Sequence, residues 1–100
     1  MGARPKLPPF WALGWMQASY KWFTQDDVAG AIKQYRDKGF PLDVVFLDIP
    51  YMDNYIDFTV NKTAFPKLTD LADDLHAHNQ HLIPIIDAAI SAEDLQNKYY

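Results

Sequence analysis

Asp48 stands at the end of the apolar run Val44-Val45-Phe46-Leu47, and Tyr51, Asp53, Tyr55 and Asp57 follow it closely. A carboxylate accepts two hydroxyl hydrogen bonds at once, and bonds to a charged group are the stronger kind. Tyrosines add apolar faces with a polar tip. An acidic and aromatic cluster of this composition suits a ligand dense in hydroxyl groups. On residue type alone a structural role fits Asp48 as well, as a cap on nearby backbone or the partner of a buried cation.

Three other groupings invite attention. His76, His78 and His81 lie close in sequence. Residues two apart on a helix face different directions, so a solvated helix end is expected rather than a metal centre. Asn61-Lys62-Thr63 is a glycosylation sequon, relevant only to a secreted protein. Ser19 and Ser91 have no base near them in sequence, and neither is read as a nucleophile.

The elements that position Asp48 follow from patterning. A continuous apolar run marks a strand covered on both faces, as in a parallel sheet. In α/β folds the ligand lies beyond the carboxyl ends of the strands, which is where Asp48 falls. Pro5, Pro8 and Pro9 keep the leading segment extended. Phe10 to Gly14 reads as a short aromatic strand. Thr24 reads as a helix N-cap before Gln25, Asp26 and Asp27, with Val28, Ile32 and Tyr35 as the buried stripe. Gly39 supplies a left-handed cap, and Pro41 stops continuation. Leu42 to Leu47 is a second strand, with Asp43 inside it in a structural role.

Ile49 to Pro66 forms a long connection, expected to contain an extended stretch from Tyr55 to Val60. Asp53 and Asp57 would order it through local backbone bonds. A second helix runs from about Lys67 to His78, with Leu68, Leu71, Ala72 and Leu75 on one face and Asn79 at the left-handed cap. Leu82 to Ile86 is a third strand ending at Asp87, although Pro84 is awkward inside a central strand. The order β-α-β-α-β predicts parallel strands with right-handed crossovers in an α/β fold. Periodicity does not separate a barrel segment from a doubly wound sheet.

Composition narrows the function classes. The chain has 100 residues, 49% hydrophobic, 22% charged and 15% aromatic, with a net charge of −4. No basic patch exists to displace counterions from nucleic acid. No apolar run approaches the ~20 residues of a membrane-spanning helix. Met1-Gly2-Ala3-Arg4-Pro5 does not read as a signal peptide. With no cysteine, disulfides and structural zinc are not expected. One hundred residues allow one small domain.

Several motifs come in one order: Pro8-Pro9-Phe10-Trp11-Ala12-Leu13-Gly14-Trp15, Phe40-Pro41-Leu42-Asp43-Val44, Leu47-Asp48-Ile49 with Tyr51-Met52-Asp53, Asp57-Phe58-Thr59, Phe65-Pro66 and Ile85-Ile86-Asp87. From about Arg4 to about Ser91 the chain resembles the opening third of the catalytic barrel of the α-glucosidases of glycoside hydrolase family 31. The resemblance implies the first β/α units of a TIM (β/α)8 barrel, incomplete here because such a barrel needs roughly 250 residues. It implies a retaining enzyme acting on terminal α-linked glucose of maltose-like saccharides, with no cofactor. Its partners would be the α-glucoside substrate and the remainder of the barrel. The residues leave the compartment open, and only the resemblance leans towards a secreted or lysosome-like one.

The same resemblance implies residue roles. Asp48 would bind sugar hydroxyls at the cleavage subsite, Ile49 and Ile85 would line the pocket, and Tyr20 would stack on the sugar. Asp87 and Trp15 would support the site. The nucleophile and acid/base lie on later strands of the family's barrel, so no catalytic residue is expected in this chain. The chain departs from the family at Met16, where His or Gln is common, and at Ser19, where Arg is common. Pro50 stands where a second acid is common, and Ala88 replaces the usual Pro. These departures keep two rivals in view: a non-catalytic carbohydrate-binding relative of the same fold, and a small α/β interaction module.

Overall fold

A computed structural model describes residues 2–89 of the chain. Helix α1 spans Gln25–Asp37 and begins with a reciprocal cap. Thr24 Oγ1 accepts the Asp27 amide proton at 3.2 Å, while Asp27 Oδ2 accepts the Thr24 amide proton at 2.9 Å. Two amide protons with no intrahelical acceptor are thereby satisfied. Val28 and Ile32 are buried on one side of α1. The helix ends at Gly39, whose φ of +68° is the left-handed geometry expected there. Helix α2 spans Leu68–Ala77, burying Leu71 and Leu75, and Asn79 follows in left-handed geometry at φ +57°.

Strands β1 (Met16–Ser19), β2 (Val44–Leu47) and β3 (His81–Pro84) pair in parallel in the order β1-β2-β3. The chain is an α/β segment with an open sheet, and β1 and β3 each keep one unpaired edge among the described residues. Met16 lies beside Val44 and Val44 beside His81; at the other end Ser19 lies beside Leu47 and Leu47 beside Pro84. Val45 and Leu47 join Val28, Ile32, Leu71 and Leu75 in the core. Successive strand residues point to opposite faces, so Val44, Phe46 and the following Asp48 belong to the face away from the helices.

Three sequence expectations are corrected. Phe10–Leu13 is a short 3₁₀ turn, not a strand, and Phe10 is 91% exposed. Aromatic content favours a strand only where a neighbour accepts the ladder. Here pairing begins at Trp15, whose carbonyl receives the Asp43 and Val44 amides at 2.9 and 3.2 Å. Tyr55 to Val60 is not extended: 3₁₀ turns occupy Ile49–Tyr51 and Asp53–Tyr55, and Asn54, Tyr55 and Phe58 all have positive φ. The third strand is His81–Pro84 rather than Leu82 to Ile86. Pro84 is its last residue, and the ladder continues past it through Ile85 N–H to Leu47 C=O at 2.9 Å. The strand thus accommodates a residue with no N–H.

Candidate functional site

The register places the expected sugar-binding residues on one level. Ser19, Leu47 and Pro84 are neighbours across the sheet. Tyr20, Asp48 and Ile85 are the next residue of each segment, at the carboxyl ends of β1, β2 and β3. Asp48 retains extended geometry (φ −84°, ψ 174°) and caps the Ile49–Tyr51 turn, its Oδ1 accepting the Ile49 amide proton at 2.7 Å. Among the described residues Oδ2 takes no hydrogen bond, so one carboxylate oxygen orients the side chain and the other is free to accept. The backbone cap thus fixes the orientation of the Asp48 carboxylate at the carboxyl end of β2. Ile49 is half-buried beside it and packs on the core.

Tyr20 is 50% exposed and meets Phe23 edge-to-face, with ring centroids 5.6 Å apart. Its hydroxyl titrates above the ordinary tyrosine value. The hydrogen bond with Tyr55 is the largest cause, followed by the charge on Tyr55, partial desolvation and the Asp48 carboxylate. Tyr20 follows β1, whereas Asp48 and Tyr55 both belong to the connection after β2. Tyr55 belongs to the acidic and aromatic cluster of the sequence and is 57% exposed.

The rest of that cluster turns inward. Tyr51 is buried and donates its hydroxyl proton to the Ile85 carbonyl at 2.8 Å. Burial, and then Asp57, push its hydroxyl above the ordinary value. Asp57 is 5% exposed, and its Oδ1 accepts the Asp87 amide proton at 3.0 Å. Asp57 therefore anchors the loop across the fold, not through local backbone as expected. At Asp53 the main chain makes the bond, donating to Thr59 Oγ1 at 2.9 Å.

Ile85 is partly exposed, and its backbone is fixed at both ends, by Leu47 and Tyr51. Asp87 receives its anchor through its amide, so its place behind the site is secured by main chain. Trp15 is not brought to this level. It precedes β1, at the amino end of the sheet, roughly 16 Å from Tyr20 at ~3.3 Å per strand residue. There its amide donates to Asp43 Oδ2 at 2.9 Å and its indole N–H to the Tyr35 hydroxyl at 3.1 Å. Trp15 and Asp43 tie the base of the sheet, which corrects the supporting role expected of Trp15 and fits the structural one expected of Asp43.

The remaining candidates are placed as follows. His81 stacks on Trp11 at 4.0 Å and lies 5.7 Å from His76. His78 Nδ1 meets the Asp74 carbonyl at 2.7 Å instead. Among the described residues no group of three or more potential ligands could hold a metal. No described helix is long and apolar enough to cross a membrane. Asn61 Oδ1 accepts the Thr63 and Ala64 amides at 3.1 and 3.0 Å, so the sequon asparagine shapes its own turn. Pro50 is buried within the turn that Asp48 caps. Ser91 lies outside the described residues.

The profile of the glycosyl hydrolases family 31 TIM-barrel domain matches residues 5–100. An α-glucosidase of Saccharolobus solfataricus is 41% identical over 90 residues, covering 90% of this chain and 13% of that protein. Alpha-glucosidase 2 of Bacillus thermoamyloliquefaciens is 38% identical, covering 90% of this chain and 11% of that protein. The chain thus spans little more than a tenth of these curated relatives. Among solved structures, glucosidase II alpha subunit superposes with a TM-score of 0.80 at 29% identity, covering 85% of this chain and 9% of that one. The family 31 α-glucosidase of Bacteroides thetaiotaomicron gives 0.69 at 34% identity, covering 85% and 14%. The chain belongs to glycoside hydrolase family 31 and is part of its TIM-barrel domain.

Proposed function

We propose that this segment builds the glucose-binding wall of a retaining α-glucosidase that removes terminal α-linked glucose from maltose-like oligosaccharides. The observation that carries the reading is the alignment of Tyr20, Asp48 and Ile85 at the carboxyl ends of three parallel strands. Asp48 accepts sugar hydroxyls through its free oxygen. Tyr20 offers a ring face to the sugar C–H face, while Ile49 and Ile85 exclude water on the apolar side. Excluding water strengthens each polar contact, because the local dielectric falls.

Retention requires two carboxyl groups about 5–5.5 Å apart, one as nucleophile and one as acid/base. Among the described residues no second carboxylate accompanies Asp48 on its level of the sheet. The segment's part is to hold the sugar, and the remainder of the barrel supplies the reacting groups. Two apolar clefts suit that partner. One lies beside the open edge of β1 and is lined by Trp15, Trp22, Tyr35 and Phe40. The other lies beside β3 and is lined by Val60, Phe65, Leu68 and Leu82.

The test is proton NMR of maltose cleavage by the protein carrying this segment in its complete barrel. Glucose released first as the α-anomer supports the proposal. Release first as the β-anomer overturns retention. Maltose binding without cleavage overturns hydrolysis and favours the carbohydrate-binding relative.

A further inference from the structure

We propose that the side chains of Tyr51 and Asp57 stand in for Ile49 in the ladder between β2 and β3, and that both are positioning residues holding Ile85 across from Asp48. The proposal rests on the reading of Asp48 and Ile85 as sugar-binding groups.

A parallel ladder uses alternate residues of a strand. Each donates to one carbonyl of the neighbour and accepts from the amide two residues further on. Along β2 the Asp43 and Leu47 carbonyls accept the His81 and Ile85 amide protons, both at 2.9 Å. The next residue in this alternation is Ile49. In a continued ladder it would donate to the Ile85 carbonyl and accept from the Asp87 amide.

Ile49 does neither. Its amide proton goes to Asp48 Oδ1 at 2.7 Å, and its carbonyl accepts the Met52 amide proton at 3.0 Å. The chain therefore leaves the ladder directly after Asp48. The two groups that Ile49 would have met are nonetheless both occupied. The Tyr51 hydroxyl donates to the Ile85 carbonyl at 2.8 Å, and Asp57 Oδ1 accepts the Asp87 amide proton at 3.0 Å. One hydroxyl and one carboxylate reproduce the donor and acceptor of a single strand residue. Tyr51 and Asp57 are both 5% exposed, so water competes little for these bonds.

The consequence falls on the site. Pro84 has no amide proton. Without Tyr51 and Asp57, the Ile85 amide would be the last hydrogen bond from this segment to the rest of the sheet among the described residues. With them, the chain after β3 stays in line while the chain after β2 turns away. The gap so opened lies between Asp48 and Ile85, and its Ile85 side is held by Tyr51 and Asp57. A wall already held in place need not be ordered when sugar binds.

The test uses the protein carrying this segment in its complete barrel, with kcat and KM for maltose and Tm measured on each variant. Tyr51→Phe removes the donor and keeps the ring. It should lower kcat/KM about three- to ten-fold, the scale of one neutral hydrogen bond, through KM. Asp57→Ala should lose at least as much. Asp57→Asn keeps an acceptor for the Asp87 amide and should recover most of that loss. Lower Tm with unchanged KM in both Tyr51→Phe and Asp57→Ala would make the two bonds purely structural and overturn the proposal. Should Asp57→Ala fail to fold, Tyr51→Phe decides alone. In an Ile85→Ala background the KM effect of Tyr51→Phe should vanish, and its persistence there would overturn a role through Ile85.

Asp48→Asn and Ile85→Ala serve as controls in the same assay. If both lose activity while Tyr51→Phe and Asp57→Ala do not, the positioning claim fails alone. If neither control loses activity, the sugar-site reading fails and this proposal fails with it.

Discussion

Asp57 Oδ1 accepts the amide proton of Asp87 at 3.0 Å across 30 residues of sequence. The bond ties the loop after β2 to the segment after β3, just behind the level of Asp48 and Ile85. Asp57→Ala would leave the Asp87 amide without this acceptor. The expected cost is about 1–3 kcal/mol, the scale for losing one partner of a buried bond. Chemical denaturation should show it, with faster hydrogen exchange at the Asp87 amide.

Tyr51 gives a pH signature. Its hydroxyl is buried, bonded to the Ile85 carbonyl, and titrates above its ordinary value of 10.0. The folded state keeps its proton where the unfolded chain has begun to lose one. Stability from this group is complete below about pH 10 and falls as pH rises further. Tyr51→Phe should lower Tm at neutral pH, because the Ile85 carbonyl loses its donor. It should also flatten the decline above pH 10, which a Tm series from pH 8 to 11 would show.

Gly14 sits against Asp43: a Cβ at this position would lie 2.1 Å from Asp43 Oδ2. Gly14→Ala must therefore displace the carboxylate that receives the Trp15 amide. A loss of about 1–3 kcal/mol is expected. Because the contact lies at the amino end of the sheet, kcat/KM per folded molecule should stay near wild type.

The isolated 100-residue chain should self-associate and should not hydrolyse 4-nitrophenyl α-glucoside. Its sheet has two open edges among the described residues, and unpaired strand edges recruit partners. Light scattering and a turnover assay on purified chain would check both. A monomer with a cooperative thermal transition, or turnover abolished by a point change within the chain, would contradict these expectations.

Much of the fold was legible because its signals are local. Thr24 with Asp27 announces α1, Gly39 and Asn79 end the helices, and Val44 to Leu47 reads directly as a covered strand. The first strand was misplaced because the Phe10 to Gly14 aromatics carry strong β propensity, while Met16-Gln17-Ala18-Ser19 carries little. What makes the latter a strand is its neighbour, β2, and no local pattern records that. The loop failed for a similar reason. Tyr55 and Phe58 have positive φ, which neither residue type signals, and the Asp57 bond to the Asp87 amide spans 30 residues, which no local pattern records. Asp48 stands out at the end of its apolar run, whereas Tyr20 and Ile85 were singled out by family resemblance alone, and the common level of the three follows from strand register.

The central claim is that Asp48 binds sugar, and one substitution tests it most directly. Asp48→Asn is nearly isosteric, but loses the charge and one acceptor. A bond to a charged group is worth about 1.5–3 kcal/mol, so kcat/KM for maltose should fall roughly ten- to a hundred-fold or more. Asn can still accept the Ile49 amide proton, so Tm should change little. Both quantities are measured on one preparation of the protein carrying this segment in its complete barrel. A large fall in kcat/KM with a small change in Tm is the predicted result. Near-normal kcat/KM with a substantial drop in Tm would contradict it and leave Asp48 as a structural cap.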